Sequence, residues 1–253
     1  RARALGAVDV IVRKWPAGVA TMREAGRVPA RALAAVGAAV AVGVTTGELD
    51  AIAESVIRAA GAVPAFKGYH GFPATICASR NSVVVHGIPG KERLVRGDII
   101  SVVVGAVVDG YYGDSASTFP VGEVTREVAR LLEVTRRSLD AGIARCVPGM
   151  RLYDISSAVQ RVAEGGGFSV VREYVGHGIG RAMHEEPQIP NYGTAGRGPT
   201  LQEGMVLAIE PMVNMGGPGV GQADDGWTVS TADGSPSGHF EQTVAITADG
   251  PVI

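Results

Sequence analysis

The chain carries one pattern twice, and that repeat limits its fold more than any other feature of the sequence. Gly43-Val44 through Gly61 lies over Gly149-Met150 through Gly167 at an offset of 106 residues, each a helix-like stretch closed by glycine. Arg96-Gly97-Asp98-Ile99-Ile100-Ser101-Val102-Val103 lies over Glu203-Gly204-Met205-Val206-Leu207-Ala208-Ile209-Glu210 at an offset of 107. Two halves related in this way bring equivalent strands around a shared cleft, to which each half is expected to contribute a ligand. The register makes Val103 the internal partner of Glu210, so only the second half places a carboxylate there. A chain of 253 residues with 46% hydrophobic residues is long enough for one sizeable core or two fused halves. No proline-rich or low-complexity linker divides them, and one compact unit is expected.

Periodicity gives the elements of each half. Apolar residues at helical spacing occur at Val28, Ala32, Leu33, Val36 and Val40, and again at Leu49, Ile52, Ala53, Val56 and Ile57, where Thr45 and Glu48 form a capping box. Strands are expected at Ser82 to Val85, at Asp98 to Val104, and, across Gly105, at Ala106 to Tyr112. The second half repeats helices on Val128, Leu131, Leu132, Thr135 and Leu139 and on Ile155, Val159 and Val162, the latter ending at Gly165-Gly166-Gly167. Strands follow at Val206 to Glu210, Trp227 to Thr231 and Phe240 to Thr247, with Asp225-Gly226 and Asp233-Gly234 read as hairpin turns.

Composition removes several function classes. A formal net charge of -2 offers no general attraction for nucleic acid or an anionic membrane. No segment approaches the roughly 20 continuous apolar residues of a membrane span. The basic start, Arg1 to Lys14, lacks the apolar region and cleavage site of a signal peptide. Two cysteines, Cys77 and Cys146, make neither a disulfide framework nor a CxxC site. A reducing, cytoplasmic setting is therefore expected.

The chemistry-bearing residues cluster in short motifs: Tyr112-Gly113-Asp114-Ser115, Gly176-His177-Gly178-Ile179-Gly180, Met183-His184-Glu185-Glu186-Pro187, Ile209-Glu210-Pro211-Met212 and His239-Phe240-Glu241-Gln242-Thr243. Asp114, His177, Glu210 and Glu241 supply one imidazole and three carboxylates, the donor types that hard or borderline divalent cations take. Glu210 and Glu241 lie in strands that should be buried, where an unpaired carboxylate is costly, so a cation or a proton must compensate. An ion pair is the alternative there, a structural histidine the alternative for His177, and a turn aspartate the alternative for Asp114. The glycines flanking His177 let backbone approach an ion. His86 and His184 are the other informative imidazoles, while His70 reads as a loop residue. The segment from His184 is not a helical zinc-protease motif, because position 188 is Gln where a second His is required.

Together these motifs resemble the type I methionine aminopeptidases of bacteria, from about Thr21-Met22-Arg23-Glu24-Ala25-Gly26-Arg27 to the end. The resemblance implies an α/β (α+β) pita-bread fold, an antiparallel sheet covered by helices in two pseudo-symmetric halves. It divides the chain into an N-terminal extension, 1–20, and a catalytic domain, 21–253. In that family two aspartates, one histidine and two glutamates hold two adjacent ions. Asp114, His177, Glu210 and Glu241 match four of the places, with Asp114 and Glu241 expected to bridge. The fifth belongs at Val103, and valine cannot coordinate. One strong divalent metal site (Mn, Fe, Co or Zn) and a second that is weak or empty are therefore expected.

The same resemblance implies roles for the remaining residues. Glu210 becomes ligand and proton acceptor, His184 steadies charge on the tetrahedral intermediate, and His86 contacts the scissile amide or the substrate backbone. Tyr69, Phe72, Cys77, Met183 and Trp227 match places around the substrate methionine, with Phe66 where a smaller residue is common. Removal of N-terminal methionine from peptides and nascent proteins, at reduced activity and by a monomer, is the leading expectation. A peptide- or protein-binding paralogue, and an enzyme repurposed for another small substrate, are the alternatives.

Overall fold

The computed structural model describes residues 11–253. The reading of the basic start therefore lies largely outside the described residues. In chain order the elements are α1 (Pro16–Ala39), α2 (Thr46–Ala59), β1 (Val63–Pro64), β2 (Ile76–Arg80), β3 (Val83–Val85), β4 (Ile99–Val108) and β5 (Tyr111–Pro120). Then come α3 (Arg126–Ile143), α4 (Leu152–Gly165), β6 (Ser169–Val170), β7 (Gly176–Gly178), β8 (Glu185–Ile189), β9 (Val206–Ile209) and β10 (Met212–Asn214). The chain ends with β11 (Val220–Gln222), β12 (Val229–Thr231), β13 (Ser237–His239), β14 (Glu241–Thr247) and β15 (Gly250–Val252).

The repeat is visible in the helices. Both α2 and α4 are 14 residues long. Thr45 and Glu48 close the expected capping box, the Glu48 amide donating to Thr45 Oγ1 at 3.1 Å and the Thr45 amide donating to the Glu48 carboxylate at 2.7 Å. Asp154 accepts the equivalent bond from the Arg151 amide at 2.7 Å. Helix α1 runs unbroken across residues 20 and 21.

Among the described residues, nine strands form an antiparallel sheet in the order β1-β4-β5-β14-β9-β7-β8, with β2 beside β4 and β15 beside β14. Two three-stranded sheets, β13-β10-β6 and β11-β12-β3, carry His239 and Met212 of the first and Val85 of the second to the same cavity. Strand alternation sorts the residues. Ile100, Val102, Val104 and Ala106 of β4 pack under Val28, Leu33 and Val36 of α1 and Leu49 and Ile57 of α2. Leu207 and Ile209 of β9, with Val244 and Ile246 of β14, pack under Leu139 and Ile143 of α3 and Ile155 of α4. Val103 and Glu210 thus face away from the helices in their respective halves, and so does Glu241. This is the pita-bread fold that the resemblance implies.

Two local expectations are corrected. The strand break expected at Gly105 does not occur: β4 continues to Val108, and the turn falls at Asp109-Gly110, both with positive φ (50° and 75°) as a tight hairpin requires. Gly105 instead makes room for Phe66, because a Cβ there would collide with that ring and with Ala65. Asp233-Gly234 is likewise not a hairpin turn. It carries the chain from β12 to β13, which belong to different sheets, whereas Asp225-Gly226 does lie between the paired β11 and β12.

Candidate metal centre

A lateral row across the central sheet builds the floor of the site. Cys77 pairs with Val103, Val103 with Ala116, and Ala116 with Glu241, so these four side chains share one face. Asp114, two residues before Ala116 on β5, shares it as well. Thr243 Oγ1 locks β5 to β14 beside this row, accepting from the Asp114 amide at 3.0 Å and donating to the Asp114 carbonyl at 2.8 Å. His177 comes from β7, which pairs with β9, and Glu210 follows directly after β9. The glycines flanking His177 are required by neighbouring strands: a Cβ on Gly176 would strike the Ala208 carbonyl, and one on Gly178 the Glu186 carbonyl.

Every residue singled out from the sequence lines one cavity of about 300 Å³. Asp114, His177, Glu210 and Glu241 form its floor. His86 and His184 stand on its walls, and Tyr69, Phe72, Cys77, Met183 and Trp227 make its apolar part. Phe66, expected at the methionine pocket, and Val103, expected at the missing ligand position, line it too, and His70, Val85, Tyr174, Val175 and Met212 join them without a sequence signal. The most informative omission is His239, whose ring also reaches the cavity. The signal for it in the sequence is its place in His239-Phe240-Glu241, two positions before a candidate ligand.

Two donor triads converge, each with its donor atoms within 4.8 Å of one another: Asp114, His177 and Glu241, and Glu210, His239 and Glu241. Glu241 belongs to both. The Glu210 carboxylate lies between two imidazoles, Oε1 3.6 Å from His177 Nε2 and Oε2 3.5 Å from His239 Nε2. His177 Nδ1 donates to the Gly178 carbonyl at 2.9 Å, which leaves Nε2 as the free lone pair, the arrangement usual for a metal-binding imidazole.

Burial opposes charge throughout this floor. It pushes the Asp114 carboxyl well above the usual aspartate range, and the neighbouring Glu210 adds to the effect. It does the same to Glu241, with Asp114 and Glu210 adding like charge, and lifts Glu210 to about 8. The same burial lowers His177 to about 4, with His184 contributing, and His239 to about 3. Three carboxyls crowded around neutral imidazoles, with Glu241 Oε1 buried and unpartnered among the described residues, fit a divalent cation.

The walls are electrically quiet. His86 has positive φ (61°), stands edge-on to Tyr174 and Trp227, and is held to about 4 by burial. His184 Nδ1 and the Tyr69 hydroxyl are 2.8 Å apart, and its ring meets His177 edge-on at 4.5 Å. Burial and the nearby Asp114 and Glu241 raise the Cys77 thiol far above its usual range, so it stays neutral. Val103 packs with Phe72, Ala74, Cys77 and Ala116 on the site face.

The model of metallopeptidase family M24 matches residues 20–248. The chain is 52% identical over 241 residues to methionine aminopeptidase 1 of Bacillus subtilis, covering 95% of this chain and 97% of that one. It is 50% identical over 245 residues to the methionine aminopeptidase of Clostridium acetobutylicum, covering 96% and 98%. The crystal structure of methionine aminopeptidase from Rickettsia prowazekii superposes with a TM-score of 0.95 at 42% identity, over 96% of this chain and 99% of that one.

Proposed function

The chain belongs to metallopeptidase family M24, among its type I methionine aminopeptidases, and from that premise we propose that it removes N-terminal methionine from peptides and nascent proteins at a reduced rate. The observation that carries this reading is the convergence of Asp114, His177, Glu210 and Glu241 beneath an apolar pocket with two further imidazoles on its walls.

Those four residues hold the strong cation position, for which Mn, Fe, Co and Zn are all suited by the mixed oxygen and nitrogen donors. Bound there, a divalent ion supplies polarisation of the scissile carbonyl and a water acidic enough to attack it at neutral pH. Val103 stands where the family carries its fifth ligand, so the second position on that side is weak or empty. The free substrate amine then has less to hold it, and misplacement of this kind costs about 100-fold in rate.

The protein groups perform the remaining work. Glu210 accepts the proton released by the attacking water. The Tyr69 hydroxyl stands 2.8 Å from His184 Nδ1; with the hydroxyl as donor, the imidazole proton would sit on Nε2, where it can meet the developing negative oxygen. His86 directs its ring at the scissile amide. Phe72, Cys77, Met183 and Trp227 bury the methionine side chain, worth about 1.5–3 kcal/mol, and aromatic rings favour its sulfur. Phe66, seated over Gly105, narrows that pocket. The catalytic unit is residues 21–253, acting as a monomer. No helix among the described residues is long and apolar enough to cross a membrane.

The apolar packing of Val103 favours a second reading, a protein that binds peptide ends, or handles another small substrate, without efficient cleavage. Metal counting joined to methionine release from Met-Ala peptides separates the two. One tightly held ion with slow release is expected; no turnover with added Mn, Fe or Co removes the enzyme reading.

A further inference from the structure

His239 is a buried imidazole with nothing to do in the four-ligand scheme. It is fully buried, and among the described residues neither Nδ1 nor Nε2 has a hydrogen-bond partner. An unsatisfied polar group so deep in a protein calls for an absent ion or water. Its backbone is fixed from both sides: the His239 amide donates to Thr118 Oγ1 at 2.8 Å, and that hydroxyl is 2.9 Å from the His239 carbonyl. Strand β10 pairs with it at Met212. The ring is therefore held in the cavity with little freedom to find another partner.

Its distance to Glu210 is too long for a hydrogen bond and right for a shared ion. Nε2 lies 3.5 Å from Glu210 Oε2, beyond the roughly 2.7–3.2 Å of an N–H···O bond. Two donors each about 2.0–2.2 Å from one cation, at about the tetrahedral angle, lie about 3.3–3.6 Å from each other. Glu241 supplies the third donor, and its Oε1 is the other buried, unpartnered atom of the cluster. On the opposite side of the same carboxylate, Glu210 Oε1 stands at a matching 3.6 Å from His177 Nε2.

We propose that His239, Glu210 and Glu241 form a second divalent-cation position, next to that of Asp114, His177, Glu210 and Glu241 and at the Glu210 oxygen that faces away from His177. The ligand missing at Val103 is thus replaced by a different ligand on a different strand, and Glu210 and Glu241 bridge the pair. One imidazole and two carboxylates suit the borderline first-row ions, Zn, Co, Fe and Mn. The inference rests on the reading of the first position as a metal site.

The test is titration of the purified, metal-stripped chain with Mn(II), followed by calorimetry and electron paramagnetic resonance. The parent protein is expected to take up two ions, the second about 10- to 100-fold more weakly, and to show the spectrum of a spin-coupled pair. His239→Ala should bind one ion with unchanged tight affinity and lose the coupled spectrum. His239→Gln, closer in size to the parent side chain, serves if the alanine variant melts early. Two ions with unchanged affinities in the variants overturn the proposal, and so does a parent protein that binds a single ion whose affinity falls in His239→Ala. No tight ion in the parent would instead remove the first position and leave the function proposed above without its cation.

Discussion

Strands β4 and β9 occupy equivalent places in the two halves, yet one presents Val103 and the other leads into Glu210. Their outward faces are alike, Ile100 and Val102 under one helix pair, Leu207 and Ile209 under the other. Their inward positions differ in company. Val103 sits mid-strand between Cys77 and Ala116, paired on both sides. Glu210 stands just past the end of a short strand, with His177 and His239 on either side of its carboxylate. The repeat therefore supplies two positions equivalent in register, and the neighbours decide whether a carboxylate there has a partner.

The sharpest break of that comparison is truncation on each side. Glu210→Ala should abolish tight metal binding and lower kcat/KM by about 1,000-fold or more, the several kcal/mol that cation chemistry supplies. Val103→Ala should leave metal content unchanged and cost only about 1 kcal/mol of stability. Equal metal loss in the two variants would mean that the halves are not divided as described. Metal analysis and peptide-release kinetics read both.

Val103→Asp tests the comparison from the other direction. It should raise metal content and increase the rate about 10- to 100-fold, by restoring a hold on the substrate amine. In the metal-free protein it adds a fourth crowded carboxyl beside Cys77 and Ala116 and should destabilise by about 1–3 kcal/mol. Metal gained without rate would place the defect in the pocket, at Phe66.

Smaller effects follow on the wall and in the floor. Tyr69→Phe removes the hydroxyl that orients His184 and should lower kcat about 10-fold with KM nearly unchanged, whereas a packing role would move KM. The pH dependence of the chelated protein is subtler. Burial lifts Glu210 to about 8, and Asp114 and Glu241 move the same way, so the folded state keeps protons that the unfolded chain releases. The stability this confers is complete below the unfolded carboxylate range and is lost as pH rises through about 8. The buried imidazoles, depressed to about 3 and 4, act in the opposite sense, but only below about 6.5. Between pH 6.5 and 8 the melting temperature should fall, about 1.4 kcal/mol per pH unit for each proton retained. Saturating Mn should flatten that slope; a slope unchanged by Mn would argue against a cation on this floor.

Much of this is legible in the sequence. The capping box at Thr45, the helices of each half and the pairing of Val103 with Glu210 all depend on local period or internal similarity, which a sequence displays directly. Other features were hidden because they arise from register. The Asp109-Gly110 turn was masked by Gly105, whose missing side chain serves Phe66 instead of a bend. Asp233-Gly234 has the composition of a hairpin turn but joins strands of different sheets. His239 has no role legible in its motif, since nothing local tells which way a strand-end ring points.

The sequence by itself determined a two-halved α/β fold, the donor types able to hold a cation, and the aliphatic gap at Val103. Composition and spacing suffice for these because they are properties of short segments. Tertiary structure alone decided which donors meet. The row from Cys77 through Val103 and Ala116 to Glu241 requires side-by-side register among four strands, of which β14 is far from the other three in sequence. The position of His239 beside Glu210 requires β13, a strand of a second sheet, to end next to the first. Convergence of this kind is set by long-range pairing and burial, which no local pattern encodes.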